Sequence, residues 1–338
     1  MLIAIVAAAA ASTPAAAVPG ALDRSFSIDG RVTTFPQGAT AWAVAIDAKG
    51  RIVVAGTTLD ADSDVALARF RPNGNLDPDF GGGDGRVTTD LGGTDYGSDI
   101  ALGPNGRIVV AGQRVRASGS RMAVVVYGPR GRLDPDFSRD GMAFVGFDNE
   151  LQGANAVAVG ANGKIVVGGS TSNGLASRWA LARLERRGVR DRGFGGDGRV
   201  TLDVSPSSET INDLVIVAGG RIVAVGPAES ALTPRYGVAR FRISGKPDRT
   251  FGRRGVKITD VANGADTPYG VTEQGDGRLL VVGHVADGGE ADWGVLRFGP
   301  KGRLDDTFHG DGIRILRFGP EYELAQASAV QANGRIVV

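Results

Sequence analysis

The residue types that carry most enzymatic chemistry are scarce in this sequence of 338 residues. It contains two histidines, His284 and His309, and no cysteine. The lack of cysteine excludes a thiolate nucleophile, a disulfide and a cysteine-ligated zinc site, and two isolated histidines exclude a histidine-rich metal site. A serine–histidine–acid triad requires a histidine beside its nucleophile, whereas His309 falls in a repeated turn. Catalysis by thiolate or imidazole therefore has little support.

The remaining candidates are polar and aromatic side chains that recur at one position of an internal repeat. They are Trp42, Ser98, Asn155, Asn212, Tyr269 and Gln326, with acids directly after two of them at Asp99 and Asp213. If the repeats surround a channel, this set predicts a ligand site at the channel mouth, and binding of ordered channel water is the alternative role. A pair of carboxylates such as Asp99 and Asp213 would permit acid–base chemistry on a glycan.

A repeat of about 57 residues positions these candidates. Its units begin near residues 22, 76, 133, 190, 247 and 304, and each carries a phenylalanine in the phrase L-D-x-x-F or a close variant: Phe26, Phe80, Phe137, Phe194, Phe251 and Phe308. Two further phrases recur, N-G-R-I-V-V-A-G and A-L-A-R-F. The 53 glycines fit a fold with many tight turns, and the 42% of hydrophobic residues excludes disorder.

Each repeat contains four short runs with strand character, separated by turn residues. In the third repeat they span residues 154–159, 164–170, 179–184 and 198–204, and Asn162-Gly163 favours a hairpin between the first two. Four strands per repeat predict an all-β fold, a β-propeller of four-stranded blades. A β-helix, which would use shorter and more uniform coils, is the main alternative.

These phrases, including the glycine and valine that follow L-D-x-x-F, resemble the delta-60 repeat family of bacterial exported proteins. The resemblance covers residues 22–338 in six copies. It implies a propeller-like fold and an exported location. It implies no activity, because none is assigned to that family.

The blade number follows from how the first and last repeats fit together. The chain opens with a run of fourth-strand type, Arg31–Phe35, while the sixth repeat stops at Val338 without a third strand. We therefore expect about six blades, the opening run completing the last one, and a sequence truncated at its C-terminus by about 20 residues, since soluble proteins avoid an unpaired apolar edge. Further repeats would give seven blades.

Residues 1–17 predict a signal peptide. They carry no charge, and the apolar run over residues 2–11 is too short to span a bilayer. Ala15–Ala17 fits a cleavage site, which leaves residues 18–338 as a single propeller domain. No basic residue precedes the run, which points to a start further upstream, and a buried alanine-rich helix is the alternative. The expected location is secreted, periplasmic or at the cell surface, with no membrane span after signal removal.

The repeated residues predict structural roles. We expect the phenylalanines to wedge between blades and the recurring turn glycines to take positive φ; these are Gly30, Gly85, Gly141, Gly198, Gly255 and Gly312. An arginine and an aspartate eight residues apart should pair: Arg69 with Asp77, Arg183 with Asp191, Arg240 with Asp248, and Arg297 with Asp305. In the second repeat Val126 precedes Asp134, so this pair is missing.

Aspartates at the repeated corners, such as Asp77, Asp79 and Asp84, suggest calcium only weakly, because they lack the spacing of an EF-hand loop. Aspartates commonly cap turns through backbone amides. We therefore expect no cofactor at these corners, with Ca²⁺ as the alternative.

The loops between second and third strands, and between a fourth strand and the next repeat, do not repeat, which is typical of a recognition surface. Eleven such loops contain two bases, Arg114 and Arg116, and thirteen acids: Asp60, Asp62, Asp64, Asp95, Asp148, Glu150, Glu209, Glu229, Asp266, Asp287, Glu290, Glu321 and Glu323. The net charge of +1 gives no support for nucleic-acid binding. An acidic loop face would suit a cation, a glycan or a basic protein; loop solubility alone is the alternative.

The sequence thus predicts an exported binding or interaction module without evident catalytic activity. One alternative is a carbohydrate-acting hydrolase or lyase at the channel mouth. The other is a structural spacer at the cell surface.

Overall fold

The computed structural model describes residues 21–35, 38–147, 151–204, 209–229, 233–287, 290–319 and 323–338. Within these ranges the regular structure is β-strand, apart from two single-turn 3-10 helices at Pro104–Gly106 and Ala218–Gly220. None of the helices described is long and apolar enough to cross a membrane. The predicted signal peptide, residues 1–17, lies outside the described residues.

Five four-stranded sheets follow one another along the chain, each with its strands in sequence order. The first sheet contains β1 Ala39–Ile46, β2 Ile52–Thr58, β3 Val65–Phe70 and β4 Arg86–Thr89. The second contains β5 Thr94–Leu102, β6 Ile108–Arg116, β7 Gly119–Tyr127 and β8 Met142–Val145. The third contains β9 Leu151–Val159, β10 Ile165–Ser172, β11 Ser177–Leu184 and β12 Arg199–Leu202. The fourth contains β13 Asp213–Val217, β14 Arg221–Glu229, β15 Pro234–Phe241 and β16 Val256–Thr259. The fifth contains β17 Thr267–Glu273, β18 Leu279–Asp287, β19 Glu290–Phe298 and β20 Ile313–Leu316.

The four strands predicted for the third repeat are confirmed, with ends shifted by a few residues. The predicted hairpin between the first two is also present. Its turn closes through hydrogen bonds from the Gly160 N–H to the Lys164 carbonyl and from the Gly163 N–H to the Gly160 carbonyl. Gly163 has a φ of 76°, a conformation that glycine adopts without a steric cost.

The described residues form five four-stranded blades where about six were expected. The sixth repeat contributes only a two-stranded sheet, β21 Ala329–Val330 with β22 Ile336–Val337. The opening run Arg31–Phe35 is not a strand. Instead, Arg86 of β4 donates to the backbone and side-chain oxygens of Thr34, at 2.7 and 2.9 Å. Phe35 packs against a cluster that includes Phe26 and Phe70, so this run is held by side chains and not by strand pairing.

Contacts divide the chain into two compact units, residues 1–118 with 123–143, and residues 119–122 with 144–338. Third strands are the most buried elements in both, as in β3, where all six residues are buried. The second unit has one cluster around Trp179, Phe194 and Phe241 and another that includes Tyr236, Phe251 and Phe298. Burial on both faces explains why third strands have continuous apolar runs instead of an alternating pattern.

Phe80, Phe194 and Phe251 lie between consecutive sheets, as predicted for the repeated phenylalanines. Phe80, Phe194 and Phe251 are fully buried. A Cβ added to Gly131, Gly245 or Gly302 would lie within 3.0 Å of the corresponding ring. The residue after each of these phenylalanines donates its N–H to a corner of the next sheet: Gly81 to Arg130, Gly195 to Ser244 and Gly252 to Lys301, at 2.9–3.0 Å. The predicted positive φ is also confirmed at all six turn glycines, at 78–99°.

The arginine–aspartate pairs are confirmed in all four repeats that contain them. The Nε–Oδ2 distances are 2.8 Å for Arg69–Asp77, 2.6 Å for Arg183–Asp191, 2.9 Å for Arg240–Asp248 and 2.8 Å for Arg297–Asp305. Each guanidinium also lies over the phenylalanine three residues after its aspartate partner, 4.5–4.8 Å from the ring centre. For Asp134, where Val126 supplies no cation, Arg107 immediately before β6 makes the contact instead, at 2.7 Å.

Candidate functional site

Each four-stranded sheet has two different ends. At the turn end, the first strand joins the second and the third joins the fourth through the repeated corners. At the loop end, the second strand joins the third and the fourth leads to the next repeat. The corner aspartates cap turns, since Asp77 accepts from the N–H of Asp79 and Asp84 from that of Arg86. Candidate sites therefore concern the loop end and the first strands.

Four of the aligned polar residues lie at a bulge in the first strand of a four-stranded sheet. The register with the second strand shifts around Trp42, Ser98, Asn155 and Tyr269. In the fourth sheet, Asn212 donates its N–H to Val225, which also pairs with Asp213. A bulge turns one side chain away from the regular alternation, which explains why this position differs in type from the aliphatic residues that follow it.

In the second unit, most of these polar groups connect consecutive first strands. Asn155 donates Nδ2 to the Thr210 hydroxyl and the Ile211 carbonyl, at 2.8 and 2.9 Å. Asn212 donates Nδ2 to the Pro268 carbonyl at 2.8 Å. Asp213 accepts from the backbone N–H groups of Leu214 and Val271, both at 2.7 Å. This role in cross-linking repeats was not anticipated from the sequence.

The other predicted site residues are in varied surroundings. Trp42 is 55% exposed, Gln326 is exposed, and Ser98 is half-buried. Asp99 belongs to the first unit and accepts from the Ile100 N–H at 2.7 Å, whereas Asp213 belongs to the second.

Tyr269 lies beside His284, with ring centres 5.7 Å apart. His284 is buried, and burial lowers its pKa, although a backbone hydrogen bond to Ala265 and the charge of Asp266 act in the opposite direction. The neutral imidazole is therefore favoured in the folded protein.

The loop-end acids divide into exposed and buried groups, which changes the predicted acidic face. Asp60 and Asp62 are exposed, but Asp95, Glu209 and Asp266 are almost fully buried. The buried acids accept backbone N–H groups in the connection between repeats; Asp266, for example, accepts from Val261, Ala262 and Ala286 at 2.9–3.2 Å. The remaining loop acids include Asp148, Glu150 and Glu321, which lie outside the described residues, and Glu229, Asp287 and Glu290, whose side chains are not described.

Large apolar side chains are also exposed at the loop ends, which sequence reasoning missed. Leu59 in the loop between β2 and β3 is 62% exposed, and Leu175 in the loop between β10 and β11 is 92% exposed. Phe318, after β20, is 66% exposed. These residues could have been recognised in the sequence as large apolar residues within polar, non-repeating loops.

One acidic cluster stands out in the first unit. Asp64, Asp90 and Asp95 each place a carboxylate oxygen within 4.8 Å of the other two. Burial raises the pKa of Asp64, and the charges of Asp90, Asp60 and Asp62 raise it further. Burial also raises the pKa of Asp95, with Asp90 and Asp64 adding to the effect. The sequence analysis placed Asp64 and Asp95 among the thirteen acids of the acidic loop face, and it did not include Asp90.

Three segments of the chain match a protein family described as "Domain of unknown function (DUF5122) beta-propeller". They are residues 50–80, 160–194 and 274–308. Each segment begins near the start of a second strand and ends at the phenylalanine of the repeat, Phe80, Phe194 or Phe308. With the five four-stranded sheets, these matches identify an all-β repeat protein of the propeller type.

A solved lyase structure resembles the chain in fold, and two further structures match it with lower TM-scores. A virginiamycin B lyase from Staphylococcus aureus is 12% identical, with a TM-score of 0.52 over 90% of this chain and 79% of the lyase chain. A protein of unknown function from Bacteroides caccae is 10% identical, with a TM-score of 0.46 over 83% of this chain and 88% of that one. An arabinanase from Bacillus subtilis is 11% identical, with a TM-score of 0.44 over 78% of this chain and 97% of that one. No curated protein matches the chain.

Proposed function

We propose that this chain is an exported binding module that recognises a basic partner protein or peptide through the loop end of its sheets. The observation that carries the proposal is the loop between β2 and β3. In it, exposed Leu59 is followed by two exposed carboxylates, Asp60 and Asp62. An apolar anchor surrounded by charge of one sign is a common composition for a recognition site.

The backbone of this loop is held in place while its side chains remain exposed. Asp60 accepts from the Thr58 hydroxyl at 2.7 Å and from the Ser63 N–H at 3.1 Å. The Thr58 hydroxyl in turn accepts from the Asp64 N–H at 2.8 Å. A loop that is ordered before binding loses less conformational entropy when a partner arrives, which favours recognition.

The chemistry of the first strands favours binding over catalysis. A glycosidase needs two carboxyl groups that face the substrate. Asp213, one of the two acids considered for that role, uses its oxygens to accept two backbone N–H groups. The side-chain amides of Asn155 and Asn212 also donate to neighbouring strands. Because Asp213 serves as a structural acceptor, the Asp99–Asp213 pair gives the hydrolase or lyase little support.

The proposal is tested by measuring binding of the full chain to a fluorescent lysine-rich peptide containing leucine, in the presence of EDTA. A double variant, Asp60→Asn with Asp62→Asn, should weaken binding by about tenfold, and rising salt should reduce the difference. The asparagine oxygen preserves the acceptor that orders the loop, so the loss would reflect charge.

A matched control places the same change of charge at the turn end. Asp84→Asn with Asp140→Asn alters two exposed acids at repeated corners, where each side-chain oxygen accepts a backbone N–H. Binding should be unchanged in this control. Equal loss in both variants would mean nonspecific attraction and would contradict the proposal. Absence of binding by the unmodified chain would favour the structural spacer.

A further inference from the structure

The Asp64–Asp90–Asp95 cluster has too much negative charge for the cations around it. No hydrogen bond or ion pair in the described part of the chain reaches the Asp64 carboxylate, and Asp90 is exposed. The arginine opposite Asp95 in the strand pairing is Arg114, whose Nη1 lies 3.5 Å from the Leu91 carbonyl oxygen. Its attraction lowers the pKa of Asp95, but burial and the two neighbouring acids outweigh it.

A buried oxygen in this cluster lacks a hydrogen-bond partner. The Asp95 side chain is fully buried, and its Oδ2 accepts the Leu91 N–H at 2.6 Å. Its Oδ1 is buried with no hydrogen-bond partner in the described ranges. Leaving a buried carboxylate oxygen unpaired costs about 1–3 kcal/mol or more, so such atoms usually contact an ion or water.

Asp266, the equivalent acid before the fifth sheet, has both carboxylate oxygens paired. Asp266 occupies the same place relative to its neighbouring loops: it donates its N–H to the Pro234 carbonyl as Asp95 does to the Ser63 carbonyl. Both Asp266 oxygens accept backbone N–H groups. Backbone donors therefore occupy both oxygens of Asp266, whereas one oxygen of Asp95 remains available.

In the fourth and fifth sheets, one of the two positions equivalent to Asp64 and Asp90 holds an arginine. Asp64 and Asp90 flank the pairing of β3 with β4, directly outside Val65 and Thr89. In the fourth sheet the same two positions hold Arg235 and Asp260, which pair at 2.9 Å. In the fifth sheet they hold Asp292 and Arg317, which pair at 2.7 Å. The first sheet alone among these three has two acids, with buried Asp95 as a third.

We propose that Asp64, Asp90 and Asp95 bind a calcium ion, which supplies the positive charge that arginine supplies in the fourth and fifth sheets. Carboxylate oxygens without nitrogen or sulfur ligands select hard cations. Calcium lies about 2.3–2.6 Å from its ligands, so oxygens on opposite sides of it are about 4.6–5.2 Å apart. All three carboxylates offer an oxygen within 4.8 Å of the other two, so one calcium ion can contact all three, and water would complete the coordination. Magnesium demands near-ideal octahedral geometry and gives up its waters reluctantly, so a cluster of three protein carboxylates suits calcium better.

This site differs from the corners around Asp77, Asp79 and Asp84, where calcium was the weaker alternative. The Asp77 carboxylate already contacts Arg69 at 2.8 Å. It also differs from the proposed basic-partner site, because neither Asp60 nor Asp62 is one of the three ligands. The calcium site and the partner site can therefore fail independently.

The test is isothermal titration of the full chain with CaCl2, together with thermal unfolding in CaCl2, MgCl2 or EDTA. We expect one ion to bind with a dissociation constant of about 0.1–1 mM, the range of extracellular calcium modules. Saturating calcium should raise the unfolding temperature by about 3–5 °C relative to EDTA. Absence of calcium binding, or a larger shift with magnesium, would overturn the proposal.

Two variants of Asp64 separate metal binding from folding. Asp64→Asn should weaken calcium binding at least tenfold. Asp64→Arg should abolish it and should raise the unfolding temperature in EDTA, because it introduces the ion-pair partner found at this position in the fourth sheet. Asp203→Asn is the matched control, since exposed Asp203 follows β12 as Asp90 follows β4. The assignment would be contradicted if calcium raised the unfolding temperature of Asp64→Arg as much as that of the unmodified chain. It would also be contradicted if Asp203→Asn lost as much calcium affinity as Asp64→Asn.

Discussion

The guanidinium of Arg183 and the carboxylate of Asp191 form a buried ion pair, with Nε 2.6 Å from Oδ2. The same guanidinium lies over Phe194, 4.7 Å from the ring centre, and donates Nη1 to the carbonyl of Ile243 in the next repeat. One arginine therefore connects the charge, the aromatic wedge and the neighbouring repeat. Its equivalents in the first and fourth repeats, Arg69 and Arg240, make the same three contacts.

Replacing Arg183 by methionine should destabilise the protein by about 1–3 kcal/mol, because the Ile243 carbonyl would lose its donor and Asp191 would keep only Lys164, at 2.8 Å, as a cationic partner. Urea unfolding followed by fluorescence measures the change. The control is Arg187→Met, an exposed arginine in the adjacent turn, which should change the free energy of unfolding by less than about 0.5 kcal/mol. Similar effects in the two variants would contradict a special role for the pair.

A glycine that faces a phenylalanine should be more sensitive to substitution than one that faces solvent. Gly245 and Gly174 have φ values of 83° and 89°, so alanine at either position is strained. A Cβ at Gly245 would lie 3.0 Å from Phe194 ring atoms, whereas at Gly174 no atom lies within 4 Å. Gly245→Ala should cost about 1–3 kcal/mol more than Gly174→Ala in urea unfolding. Equal costs would mean that backbone strain alone matters.

The ion pair should also make stability depend on pH. Burial raises the pKa of Asp191, but hydrogen bonds from Lys164, the Gly193 N–H and Arg183 outweigh it and hold the pKa at about 2. The ionised form is therefore favoured by folding. The stabilisation should be complete above the unfolded-state value of about 3.8 and should disappear as pH falls through about 2.

Asp191→Asn tests this dependence. The variant should be less stable than the unmodified chain at pH 7, and the difference should shrink below pH 4 and nearly vanish near pH 2. Urea unfolding at a series of pH values measures the difference. A gap that stays constant down to pH 2 would show that Asp191 is not held ionised by its partners.

The side-chain amides of the first strands should behave as structural donors. Asn212→Asp places a carboxylate oxygen where Nδ2 now donates to the Pro268 carbonyl, so we expect a loss of about 1–3 kcal/mol. Asn333→Asp should be nearly neutral, because the oxygen of Asn333 is the acceptor for the Arg335 N–H and aspartate retains it. If both variants unfold at the same urea concentration as the unmodified chain, the strand-bridging role is wrong.

Structural contacts could be predicted from the sequence where the same contact recurs in several repeats. Constant spacing identifies residues that occupy equivalent positions with the same local structure. This is why the sequence predicted the roles of Phe80 and its equivalents, the turn glycines and the arginine–aspartate pairs. The blade count was less accurate, because Arg31–Phe35 has strand composition but is held by Arg86 and not by a neighbouring strand. Composition does not reveal whether a run finds a pairing partner.

The loop ends were harder to predict, because burial there depends on contacts between repeats. Asp60 and Asp95 have the same charge in the sequence, yet one is exposed and the other accepts a backbone N–H inside the protein. The bulge residues Asn155 and Asn212 were aligned correctly, but their partners lie 55–56 residues away. The Asp64–Asp90–Asp95 cluster could have been found by comparing charge pairs position by position across the repeats.

The most direct test of the division between repeated turns and variable loops is hydrogen–deuterium exchange of the full chain with and without a saturating lysine-rich peptide. We expect the peptide to slow exchange in the loop at residues 57–64 and in other loop-end segments, while the repeated corners at residues 47–51 and 71–76 exchange as before. Protection that is concentrated at those corners would contradict a binding function at the loop end.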